Sequence, residues 1–167
     1  MIKNILGISV FITAIFSSTL SAEPYEGCYS ITDDIDSAVP MRDEKGALRD
    51  KSSELKTSYI NIFKKEHQYF AQGLLWGGNF HVCHITAPIE GDSEPLPLTL
   101  KDGKLIFTQL EPEYDTSCNL EILFTDKGLK IVDENYHCSK YVFYCGVNVG
   151  LNNTELPKSV NKCPEGE

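Results

Sequence analysis

From residue 59 onward, apolar and polar positions alternate in short runs separated by turn residues. Tyr59-Ile60-Asn61-Ile62-Phe63 is rich in β-branched and aromatic side chains, which suit a pleated, half-buried surface. The polar turn 64–67 follows. The pattern resumes over 68–76 until Gly77-Gly78 breaks it, and a third run over 80–87 ends at Pro88 and a polar loop through Pro95. Residues 96–100 and 104–110 flank Asp102-Gly103, a pair that accepts the positive φ angles of a type I′ hairpin turn. Pro97 lacks the N–H of a central ladder, which places its strand at an edge or a bulge. In 118–125, Leu120, Ile122 and Phe124 share one face, alternating with Asn119 and Glu121. Asp126-Lys127-Gly128 then turns the chain into 129–132. Short runs at 141–144 and 147–151 complete the series. This spacing predicts an all-β fold, mainly an antiparallel meander and barrel-like. Only 46–55 has a helical pattern, so at most one short helix is expected. The charged stretch 33–51, which carries Pro40, reads as a loop or a mobile insertion.

The first 22 residues have a different pattern. Lys3 is followed by an apolar run over 6–15 and by mostly small residues over 17–22, the order of a secretory signal cleaved near Ala22. The run is short for a membrane span, and no later stretch approaches the roughly 18 apolar residues a span needs. The expected organisation is a signal at 1–22 and a single β domain at 23–167, in a periplasmic or secreted setting without stable membrane insertion. All six cysteines lie beyond the signal. An even set in an oxidising compartment reads as three disulfides. Folding back at Asp126-Lys127-Gly128 brings Cys118 close to Cys138, although strict alternation puts Cys138 on the wrong face unless a bulge near Asn135 or an irregular end turns it. With that pair assigned, Cys83 is expected to join Cys145, and Cys28 to join Cys163.

Charge narrows the partners. The formal net charge is −9, and loss of Lys3 with the signal takes it to −10. Nucleic-acid binding depends on Lys and Arg neutralising phosphates, so nucleic acid is excluded as the expected partner, and a basic protein is favoured. Candidate chemistry is sparse. On a strand, His81 and Cys83 share one face while His84 points to the other, too few ligands for zinc. Asp34-Ile35-Asp36 lacks the spacing of a full calcium loop. The carboxylate groups Asp33, Asp34, Asp36, then Glu90, Asp92, Glu94, then Glu111, Glu113, Asp115 sit in polar segments, where acid–base work would need burial or a partner. No catalytic residue, metal or cofactor is assigned. Tyr114, between Glu113 and Asp115, combines a rigid ring with acidic neighbours and is the expected anchor for a basic cleft, with Glu111. Trp76, beside Gly77-Gly78, is either a rim contact or a barrel-end core residue.

The order His81-Val82-Cys83, Cys118-Asn119-Leu120-Glu121-Ile122-Leu123-Phe124, Ile131-Val132-Asp133, Cys138 and Cys145-Gly146 resembles a group of small exported bacterial β-domains similar to lysozyme-inhibitor-like periplasmic proteins. The resemblance covers under half of the chain. It implies a non-catalytic inhibitor or immunity protein acting on a lysozyme-like wall hydrolase or a toxin. The Ser-Gly-x-x-Tyr loop of lysozyme inhibitors is absent, which moves the expected contact to the acidic loops. Two other functions fit a barrel: a lipocalin-like carrier with an apolar cavity lined by Trp76, Phe80, Phe107 and Phe124, and a structural role in the envelope.

Overall fold

The computed structural model describes residues 24–37, 42, 44–47, 53–88 and 94–164. The expected signal at 1–22 and the carboxylates Glu90 and Asp92 lie outside the described residues. Nine strands are β1 (Gly27–Asp36), β2 (Ser53–Lys65), β3 (Gln68–Trp76), β4 (Val82–Ile85), β5 (Leu96–Lys101), β6 (Lys104–Glu111), β7 (Thr116–Thr125), β8 (Gly128–Val132) and β9 (Glu155–Pro157). They pair antiparallel in the order β1-β2-β3-β5-β6-β7-β8-β9, with β4 on the end of β3 beyond β5. A bridge between Tyr29 and Lys158, and the Ser159 N–H donating to the Cys28 carbonyl at 2.8 Å, bring the last segment against β1. The result is a nearly closed, all-β barrel.

Alternation explains the core. In β3, Tyr69, Ala71 and Leu75 are buried, while Phe70, Gln72 and Leu74 are half-buried on the outer face. Ile60, Ile62, Leu98, Leu105, Leu120 and Ile131 fill the interior from the other strands, each stabilising the fold by about 1.5–3 kcal/mol relative to exposure. Phe107 and Phe124 point the same way, but toward different neighbours, Phe143 and the pair Tyr25 and Tyr29. Trp76 faces outward, and Phe80 belongs to the 3₁₀ turn Gly78–Phe80. The four aromatics proposed for a ligand cavity therefore do not converge.

The Asp102-Gly103 hairpin is present, with both residues at positive φ and Lys101 opposite Lys104. The β5–β6 ladder runs only from that turn to Thr99 and Ile106. Two residues further, Pro97 would stand opposite Thr108, and it has no N–H to donate. Pro97 instead pairs along its other side with Phe70 of β3.

Three expectations need correction. Asp33, Asp34 and Asp36 are in β1 rather than a loop, because β2 extends back to Ser53 and pairs with them, Asp33 opposite Lys56 and Asp34 opposite Leu55. The same pairing replaces the expected helix: Ser53, Glu54 and Leu55 are strand, and residues 48–52 lie outside the described set. Leu55 is 74% exposed, so a helix there would have no apolar face buried. The runs at 141–144 and 147–151 are not strands. Residues Cys138–Val142 instead form a π-helical turn, with the Phe143 N–H donating to the Cys138 carbonyl at 2.9 Å. Of the two expected routes for reorienting Cys138, the irregular end is observed rather than a bulge at Asn135: Tyr136 at φ 57° and the π turn redirect the chain.

All three disulfides join the expected partners: Cys28 to Cys163, Cys83 to Cys145, and Cys118 to Cys138.

Candidate partner-binding site

The acidic segment after β6 folds for local reasons. Pro112 starts the 3₁₀ turn Pro112–Tyr114 with its fixed φ, and Asp115 ends it in the left-handed region at φ 47°, which Asp tolerates better than most residues. The Asp115 N–H returns to the Pro112 carbonyl at 3.3 Å. This turn lifts Tyr114 out of the sheet plane and leaves Glu113 and Asp115 exposed.

Tyr114 is not isolated. Its ring stacks on Tyr141 of the π turn, with centroids 4.6 Å apart and planes at 29°. His137 meets the same Tyr141 ring edge-on at 5.8 Å. His137 Nδ1 lies 3.1 Å from the Ser117 carbonyl and 2.6 Å from Thr116 Oγ1. These two contacts tie the ring to the start of β7. Tyr144 completes the group. Its hydroxyl is held above the usual tyrosine value, first by the neighbouring Tyr114 and then by desolvation, Glu111 and Glu113. Glu111 itself accepts from Gln109 Nε2 at 2.5 Å. Three tyrosines and the carboxylates of Glu111 and Glu113 therefore form one electrostatic cluster, with Asp115 at its edge.

The π turn owes its position to one buried carboxylate and two bridges. Asp133, 2% exposed, accepts the Cys138 N–H at 3.1 Å on Oδ1 and the Ser139 N–H at 2.9 Å on Oδ2. Asn152 Oδ1 accepts the Asp133 N–H at 3.1 Å. Cys138 is bonded to Cys118 of β7, and Cys145 to Cys83 of β4. Tyr141 and Tyr144 therefore lie on a segment anchored at both ends. Gly146 is required just beyond it, since a Cβ would come within 2.5 Å of the His81 ring. Tyr136 and Tyr144 both have positive φ, 57° and 46°. For bulky residues this costs on the order of 1–2 kcal/mol each and persists where the surroundings impose it.

Of the expected contact residues, Tyr114, Glu111, Glu113 and Asp115 come together. Trp76 has separate neighbours: its backbone N–H donates to Ser58 Oγ at 2.9 Å, and Lys56 Nζ lies 4.9 Å from its ring centroid. His84 is exposed, Cys83 is consumed by its bridge, and His81 packs on Gly146. Among the described residues, no group of three or more His, Cys, Asp or Glu converges as a metal site. No described helix is long and apolar enough to cross a membrane.

Sequence reasoning missed Tyr141, Tyr144 and His137. The available signal was spacing: both tyrosines fall between Cys138 and Cys145, each assigned to a different bridge. No protein-family model, curated protein or solved structure matches the chain.

Proposed function

We propose that this chain is an exported, non-catalytic binding protein that blocks a basic enzyme, a lysozyme-like wall hydrolase or a toxin, through the ledge built from Glu111, Glu113, Tyr114, Tyr141 and Tyr144. The observation carrying this reading is the Tyr114–Tyr141 stack set beside carboxylates on a doubly bridged turn. Stacked tyrosines offer rigid contact area at low entropic cost, and aromatic rings are enriched where binding energy concentrates. Carboxylates beside them complement a cationic cleft and steer encounter. The bridges hold the surface in shape before binding, which reduces the ordering cost of association. Three disulfides support an oxidising compartment, in keeping with the expected signal and the lysozyme-inhibitor-like resemblance.

The test is titration against a panel of lysozyme-type hydrolases at rising salt. A partner should bind at low salt, weaken as salt rises, and lose at least tenfold affinity with Tyr114→Ala or Glu113→Lys. Affinity indifferent to both variants would sink the reading.

A further inference from the structure

The barrel has an open seam beside the ledge, and its cause is in the sequence. The β5–β6 ladder ends at Thr99 and Ile106 because Pro97 cannot continue it, so residues 107–111 of β6 pair only with β7. Lys101 and Lys104 close the two-residue turn as a hydrogen-bonded pair. Backbone direction alternates along a strand, so the N–H and C=O groups of Thr108 and Leu110 point away from β7 into the seam. On the other side, β4 pairs only with β3. The Gly77 N–H donates to the His81 carbonyl at 2.9 Å, which sets the phase of that ladder and turns the backbones of Val82 and His84 outward. Val82 is taken by the Gly146 N–H at 3.2 Å. Among the described residues, no backbone hydrogen bond engages His84, Thr108 or Leu110 on their seam sides. A cavity of about 410 Å³ lies between the two edges, with His84 and Thr86 on one wall, Gln109 and Glu111 on the other, and Phe143 and Tyr144 against it.

We propose that this seam receives an extended, Lys- or Arg-bearing segment of a protein partner, which adds as a β-strand along the free edge of β6 toward β4. This rests on the reading of the neighbouring ledge as a binding surface and specifies how the partner is held. Main-chain hydrogen bonds to Thr108 and Leu110, with His84 opposite, would supply affinity, as in other strand-addition complexes. The free stretch of five residues is about 17 Å long at about 3.4 Å per residue. Charge selects the occupant: Glu111 lines the cavity and Glu113 and Glu94 are exposed nearby, Glu94 through its carbonyl bond to the Ala87 N–H. Tyr141 already accepts a cation, since Lys140 Nζ lies 4.7 Å from its ring centroid. Lys140 and His84 are the basic side chains at the rim, and a partner's cation would displace the former.

The probe is the blocked heptapeptide Thr-Lys-Val-Arg-Val-Lys-Thr, titrated into the full chain and followed by backbone amide NMR and hydrogen exchange. Saturable binding is expected, with slowed exchange at Thr108, Leu110 and His84. N-methylation at the two valines, or at the three basic positions, should weaken it at least tenfold, because the first set removes the two central donors of one strand edge and the second all three donors of the other. Glutamate in place of the basic residues should do the same. Pro97→Thr restores the missing donor opposite Thr108, and this folded variant should bind the peptide at least tenfold more weakly. Equal binding of the parent and both N-methylated peptides overturns strand addition, as does no saturable binding up to millimolar peptide. In either case the ledge reading stands if a hydrolase still loses affinity on Tyr114→Ala.

Discussion

Two acidic regions of the molecule contrast. The ribbon formed by residues 31–36 of β1 and 53–57 of β2 carries Asp33, Asp34 and Asp36 with most side chains exposed. It has a continuous ladder, cross-strand partners such as Thr32 Oγ1 with Thr57 Oγ1 at 2.8 Å, and the Ser53 hydroxyl donating to Asp34. The ledge carries the same charge on short turns with little regular ladder, and gets its shape from Asp133, two disulfides and stacked rings. Among the described residues, the ribbon's outer edges are unpaired as well, since 31–36 and 53–57 pair only with each other, but no stacked aromatic pair stands among its carboxylates. The ledge adjoins unpaired strand edges and aromatic faces, so equal charge does not make the two surfaces equivalent.

The largest break in this contrast should come from opening Cys118–Cys138. The bridge closes a separation of 20 residues, for which loop entropy predicts a loss of about 3 kcal/mol. Cys118→Ala with Cys138→Ala should lower the denaturant midpoint and speed amide exchange over 138–145, while exchange over 31–36 keeps its ratio to the global rate. Loosening the ribbon equally would refute the division. Next, Asp133→Ala removes a carboxylate that accepts two buried N–H groups, at about 2–3 kcal/mol, with Asp133→Asn losing less. A chemical denaturation series checks the order. A binding comparison comes third. Glu111→Lys with Glu113→Lys should cost a hydrolase partner at least tenfold in affinity, whereas Asp33→Lys with Asp36→Lys should change it less than threefold.

The smallest effect separates two tyrosines at high pH. Burial raises the Tyr29 hydroxyl, which donates to the Tyr25 carbonyl at 2.9 Å, whereas Tyr144 is raised chiefly by Tyr114. For a phenol with a raised folded pKa, the unfolded chain ionises first. Stability is therefore unaffected below about pH 10 and falls as pH rises through the folded value. Tyr29→Phe should flatten that fall. Added salt screens exposed charges, so absorbance titration in 1 M salt should bring Tyr144 down toward the usual value and leave Tyr29 raised.

What could be read from the sequence follows the same division. Strand periodicity, Asp102-Gly103 and the cysteine order were legible because each acts over a few residues or follows from a hairpin. β1 was not. Its outer half buries neither face, so no alternation marks it, and its acidic residues resemble loop composition. Tyr114 and its carboxylates were visible as an exposed acidic-aromatic triplet. Tyr141 and Tyr144 were not, because they join that site only after Asp133 and two bridges bend the segment back. Pro97 was legible as an edge residue, but the open seam required the pairing of both neighbours.

The closure between Tyr29 and Lys158 has a consequence for the order of assembly. β1 begins at Gly27, and the segment that meets it begins at Lys158 and is held by Cys163, 135 residues after Cys28. Ring closure must therefore wait until the chain has been made through Lys158, and the bridge until Cys163. Contacts of such sequence separation form late and slowly. Until then, β1 and β9 are bare strand edges, open to pairing between chains. Oxidation of Cys28 with Cys163 then makes that closure durable, so before it the dependence on chaperoning should be greatest at β1 and β9.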